Sequence, residues 1–157
     1  MTGKPFRFSA LTGKPVILNF FFSHCGSYCP AQASSLARLQ TKLQANLGAE
    51  RYAIVSVSLT PERDKLSDLR SFAHRFSPDT TNWHFVTGPP VATKSLMDET
   101  KAQAIVYNDT EFPDVDHTTD VYVLDGLGQL TGSFAGLPLD KRGVTETVLE
   151  LAAASSH

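Results

Sequence analysis

The chain has 157 residues, 41% hydrophobic and 19% charged, with a formal net charge of −2. This is ordinary globular composition of one-domain length, with enough apolar material for a sizeable core. The near-neutral charge, with no basic block, argues against a partner bound through a phosphate backbone, and the only cysteines, Cys25 and Cys29, are too few for a disulfide-held scaffold or a four-cysteine zinc site.

Val16–Phe22, nearly continuous in apolar and β-forming residues, predicts a central strand covered on both faces. From Cys29 to Leu47 a helix is expected, because Ala33, Leu36, Leu39, Leu43 and Leu47 form one stripe; Gly48 stands at the C-cap. Tyr52–Leu59 reads as a second strand. Asp64 is placed to cap a helix reaching about Phe76, with Leu66, Leu69, Ala73 and Phe76 inward. Trp83–Thr87 is a short third strand, and Gly88-Pro89-Pro90 breaks the chain before a weakly periodic helix over Val91–Ala102. Tyr107–Thr119, with Pro113 and several acidic residues, reads as irregular. Val121–Leu124 and Leu130–Phe134 form a hairpin around Gly126-Leu127-Gly128-Gln129, and Gly143–Ala153 is the closing helix.

The order β-α-β-α-β-α-β-β-α predicts an α/β fold: one domain over residues 1–157, with a mostly parallel central sheet, helices on both faces and a C-terminal antiparallel hairpin. The small, polar tail Ala152–His157 is expected to fray. No run of about 18 apolar residues predicts a membrane span, and Met1–Phe8 lacks the pattern of a signal peptide. The chain reads either as cytoplasmic or as a soluble piece of a longer protein, and composition does not choose.

Both cysteines fall at the junction of the first strand and first helix, where open sheets place their sites. The helix N-terminus favours thiolate there and predicts acidic, nucleophilic cysteines. A four-residue step separates the Cα atoms by about 6 Å, compatible with a disulfide or with two thiolates on one metal ion. The plainer alternative is two cysteines buried as small hydrophobes. A third ligand would come from the histidines, since soft Cu(I) takes thiolate and imidazole. His74 and His157 read as solvated and His84 as structural; His24 adjoins Cys25. His117 lies in a loop that can fold back over the first β-α junction, and its neighbour Asp116 could orient the ring. Position alone does not separate His117 from a surface histidine.

Four segments in order resemble the Sco/SenC family: Gly13-Lys14-Pro15 with the strand and Cys25-Gly26-Ser27-Tyr28-Cys29-Pro30; Ser56–Asp64; Trp83–Gly88; and Val115–Asp125. The resemblance implies a thioredoxin-like fold and copper, Cu(I) or Cu(II), held by Cys25, Cys29 and His117. It also implies a metallochaperone that delivers copper to, or prepares, the copper centre of cytochrome c oxidase, with that oxidase's copper-site subunit or another copper acceptor as partner. Family members usually work outside the cytoplasmic membrane, in the periplasm for bacteria, often behind an N-terminal tether. The sequence departs from the pattern at Gly26, where Pro is common, and at Thr60, where Asp is common.

The rival reading is a thiol-disulfide oxidoreductase in which Cys25 attacks, Cys29 resolves and a thiol reductant is the partner. His117-Thr118-Thr119 stands where thioredoxin-like reductases carry proline, which favours metal. A peroxidase is disfavoured because Phe22 replaces the Thr or Ser such sites place three residues before the cysteine. A redox-sensing or binding module is a third class.

Overall fold

A computed structural model describes residues 3–26, 28–77, 79–107 and 114–156. Among the described residues, seven strands and four α-helices follow in the order β1 (Val16–Phe21), α1 (Tyr28–Leu47), β2 (Ala53–Ser58), α2 (Leu66–Phe76), β3 (Trp83–Val86), α3 (Pro90–Thr100), β4 (Ala104–Tyr107), β5 (Asp114–His117), β6 (Val121–Leu124), β7 (Leu130–Phe134) and α4 (Lys141–Ala154).

The main sheet has the order β3-β2-β1-β6-β7. β1–β2 and β2–β3 are parallel, whereas β1–β6 and β6–β7 are antiparallel, which gives the expected α/β sheet with its C-terminal antiparallel hairpin. All six residues of β1 and all six of β2 are buried, so both faces of the sheet centre are covered. Asn19 and Ser56 are tolerated in these strands because the register sets them side by side and the Ser56 hydroxyl donates to Asn19 Oδ1 at 2.6 Å.

The stripe expected on α1 is buried from Ala33 to Leu43, with Leu47 at its edge. Gly48 ends the helix with φ +84°, in the region that favours glycine, and its N–H donates to the Gln44 carbonyl at 3.0 Å. On α2 the inward residues are Leu69, Phe72 and Ala73; Leu66 is exposed, contrary to expectation. Phe72 lies 4.8 Å from Phe21 and 6.0 Å from Phe85, which seats the helix on the sheet through aromatic contacts.

Three expectations are corrected. Tyr107–Thr119 contains regular structure: β4 and β5 form a separate two-stranded antiparallel sheet with Ala104 opposite His117 and Val106 opposite Val115. His117 therefore ends a strand. Residues 108–113, including Pro113, lie outside the described residues. Second, Asp64 does not cap α2; Asp68 accepts from the Lys65 N–H at 2.9 Å at that helix start. Asp64 is buried instead and accepts from Ser58 Oγ at 2.6 Å, Ser23 Oγ at 2.5 Å and the Ser23 N–H at 3.3 Å. Third, the tail is helical through Ala154, because Ala152 is buried and its carbonyl accepts from the Arg51 guanidinium at 2.8 Å. His157 lies outside the described residues.

Asp64 thus ties the loop after β1 to the end of β2. Asp64→Ala leaves two hydroxyls and an amide without their charged acceptor. Loss of about 2 kcal/mol of stability and a melting temperature lower by roughly 5 °C are expected. An unchanged thermal denaturation midpoint would show that the carboxylate has no such role.

Candidate metal centre

β1 delivers the chain at Phe21 into a loop, and α1 begins at Tyr28. Cys25 sits in this loop, its N–H donating to the Phe22 carbonyl at 3.2 Å. Cys29 is in the first turn of α1, with Pro30 beside it, as the sequence predicts. Both thiols are reduced and buried, at 7% and 4% exposure, so the sulfurs are more recessed than the partly exposed site a metal-transfer role suggests.

β5 enters from the other side. His117 Nε2 lies 3.8 Å from Cys29 Sγ. The ring stands edge-on to Tyr28 at 5.6 Å and Phe22 at 6.1 Å. His117 Nδ1 is 2.8 Å from the Thr118 carbonyl, which can only accept. Nδ1 therefore carries the hydrogen, and in the neutral ring the lone pair on Nε2 faces the sulfur. Asp116, expected beside the ring, is exposed, and successive strand residues point to opposite faces. The orienting acceptor is the Thr118 carbonyl.

The expectation of an acidic pair fails for Cys29. Its thiol is pushed far above the ordinary range, first by its hydrogen bond with Cys25, then by burial, then by the charge on the Cys25 sulfur. The backbone groups at Phe22 and Cys29 act downward, as a helix start should, but are outweighed. Two adjacent sulfurs in a buried site hold a proton between them; removing it creates two close negative charges. A cation is the natural replacement for that proton, because metals bind thiolate rather than thiol.

With metal–sulfur near 2.3 Å and metal–nitrogen near 2.0 Å, sulfur and nitrogen ligands of one ion stand roughly 3.5–3.7 Å apart at tetrahedral to trigonal angles. The Cys29–His117 separation of 3.8 Å lies just above that range. Among the described residues, no three His, Cys, Asp or Glu side chains already form a metal cage. Cys25 is hydrogen-bonded to Cys29, and a rearrangement would be needed to bring all three donors onto one ion.

The other described histidines are elsewhere. His24 Nδ1 contacts Ser23 Oγ at 2.9 Å and lies 3.8 Å from Asp64, with its side chain largely exposed. His74 is exposed on α2, and His84 packs 5.2 Å from Phe6. Tyr28, the residue before Cys29, escaped the sequence reading. Its hydroxyl donates to the Val115 carbonyl at 3.4 Å, which brings its ring beside His117. Only its place inside the cysteine motif could have signalled this.

The SCO1/SenC family model matches residues 1–153. A SCO1/SenC family lipoprotein from Bacillus anthracis is 29% identical with a TM-score of 0.83, covering 96% of this chain and 88% of that one. Arabidopsis thaliana ScoI, solved with copper bound, is 25% identical with a TM-score of 0.80, covering 97% and 92%. BsSco, a member of the Sco family of cytochrome c oxidase assembly proteins in which a disulfide switch was identified, is 25% identical with a TM-score of 0.80, covering 96% and 87%. The chain spans 69% of the SCO1 homologue of Bacillus subtilis and 33% of the mitochondrial SCO1 homologue 1 of Arabidopsis thaliana. No described helix is long and apolar enough to cross a membrane. The family match over nearly the whole length, together with this thioredoxin-like architecture, establishes that the chain belongs to the SCO1/SenC family.

Proposed function

We propose that this chain binds copper through Cys25, Cys29 and His117 and passes it to a copper acceptor during cytochrome c oxidase assembly. One observation carries the reading: the Nε2 lone pair of His117 faces Cys29 Sγ at 3.8 Å across the mouth of the β1–α1 loop. The relative solved with copper bound supports the metal, and BsSco supports the assembly role. Copper is cargo here. Two thiolates and one imidazole suit Cu(I) and leave coordination space for an incoming ligand from an acceptor, so release can proceed by exchanging one ligand at a time. The protein's own residues hold the ring with Nε2 inward, keep the sulfurs paired and exclude bulk water. The oxidase's copper-site subunit is the acceptor that fits this reading. The mitochondrial and lipoprotein relatives favour work outside the cytoplasm, in the periplasm for a bacterial host.

A second reading has its own observation. The hydrogen bond between Cys25 and Cys29 places the sulfurs where oxidation can join them, and BsSco has a disulfide switch. In that reading the reduced pair gives two electrons to an acceptor disulfide, whose sulfurs take up the proton shared by the pair and one from water, and becomes a disulfide itself, to be restored by a thiol reductant.

The fully reduced protein is expected to bind one tightly held Cu(I). Cys25→Ser or Cys29→Ser should abolish tight binding, and His117→Ala should leave a weaker two-thiolate site. Unchanged affinity in His117→Ala, read by competition with a Cu(I) chelator, would exclude the three-ligand site. Absent binding together with a readily reducible Cys25–Cys29 disulfide would favour the oxidoreductase.

The pH dependence follows from Cys29. Its raised pKa means the metal-free protein carries the proton at neutral pH, and copper must displace it. Affinity should therefore rise with pH across the neutral range. At least the Cys29 proton should be released when copper binds at pH 7, seen as binding heats that differ between buffers of different ionisation enthalpy. Buffer-independent heats would show that Cys29 is already a thiolate.

A further inference from the structure

Gln32 stands three residues beyond Cys29 on the same helix and is 4% exposed. A buried amide is costly unless its polar atoms are paired. Both are. Gln32 Nε2 donates to the Thr119 carbonyl, and Gln32 Oε1 accepts from Asn19 Nδ2 at 2.9 Å. Asn19 Oδ1 accepts from Ser56 Oγ at 2.6 Å, and Ser56 Oγ accepts from Trp83 Nε1 at 3.0 Å. The line runs from β3 through β2, β1 and α1 to the segment between β5 and β6.

Its direction is forced. The indole N–H of Trp83 only donates and the Thr119 carbonyl only accepts, so every bond between them points one way and neither amide can turn over. The line ends two residues past His117, on the peptide next to the carbonyl that orients the His117 ring. Thr118 is held from the other side as well, its N–H donating to the Gln103 carbonyl at 2.9 Å. Gly136 leaves the space needed: a methyl group there would stand 1.7 Å from the Thr119 oxygen and 2.3 Å from Gln32 Nε2. Four buried polar side chains and a glycine cradle thus converge on one backbone segment beside the site.

We propose that Gln32 is a positioning residue for His117. Its one-way hydrogen-bond line with Asn19, Ser56 and Trp83 holds the Thr118–Thr119 segment so that Nε2 faces the Cys29 sulfur. The role in copper retention rests on the reading of Cys25, Cys29 and His117 as ligands, whereas the placement of the ring does not.

Two readouts test it on the reduced protein. In the metal-free state, nuclear Overhauser contacts from the His117 ring to the Tyr28 and Phe22 rings report its placement. With one equivalent of Cu(I), removal by a chelator reports retention. Gln32→Met keeps length and removes both polar atoms. It should weaken the ring contacts and release copper roughly tenfold faster, the scale of one lost buried hydrogen bond. In the His117→Ala background the same change should add nothing, because the relay acts through that ring. Equal acceleration in both backgrounds, or unaltered ring contacts in a folded Gln32→Met protein, would overturn the proposal. If Gln32→Met does not fold, Trp83→Phe removes the first donor while keeping an aromatic ring; it should give a smaller effect of the same sign, and no effect would overturn the proposal. Should the wild-type protein bind no copper, the ligand reading fails and the ring contacts alone decide the relay.

Discussion

β1 has a hydrogen-bonded strand on each side and is buried along its whole length. A strand so placed cannot shift by one residue, because every side chain would exchange faces. Its end is therefore a rigid point, and three segments meet there: the loop carrying Cys25, the first turn of α1 carrying Cys29, and the end of β5 carrying His117. Asp64 adds a tie from the end of β2 to Ser23, two residues before Cys25.

The pairing of the two sulfurs, and then their burial, sets the electrostatics. A helix start on an open surface would make Cys29 acidic, and the downward influence of the backbone is present. A second sulfur at hydrogen-bonding distance and the loss of water reverse the balance, since two adjacent thiolates repel most where solvent screens least. The same crowding that retains a proton favours a cation, which supplies positive charge without leaving either sulfur. Proton and metal are competitors for one pair of atoms, and so is oxidation, which removes both charges by joining the sulfurs. The two functional readings are alternative ways to satisfy the same buried pair.

The core around this pair is unusual in carrying an unbroken polar line through apolar layers. Asn19 and Ser56 interrupt two fully buried strands, and Gln32 interrupts the apolar stripe of α1. Each alone would be a desolvation penalty; together they satisfy one another and end on a backbone carbonyl. Such a line constrains geometry at least as much as it stabilises, because each member fixes the orientation of the next.

Most of the architecture was legible in the chain. The continuous apolar runs at Val16 and Tyr52, the stripe from Ala33, the cap at Gly48 and the glycine-containing turn before Leu130 are local signals, and local sterics and hydrophobic period suffice to read them. The β4–β5 ribbon was not legible, because its strands are short and their pairing is a contact between segments. Asp64 looked like a helix cap because it precedes a helix; burial and two distant hydroxyls decided otherwise. For the site, residue chemistry and the strand-helix junction singled out Cys25 and Cys29, while His117 needed a family resemblance, because a histidine 88 residues from Cys29 carries no local sign of its partner. The sequence by itself determined the elements of the main sheet, the helices that cover it and where the thiols sit. Only the tertiary structure decided that His117 faces Cys29 across 88 residues of chain, that Thr118 rather than Asp116 orients its ring, and that Cys29 keeps its proton, because each depends on distances and burial that are set when the elements pack together.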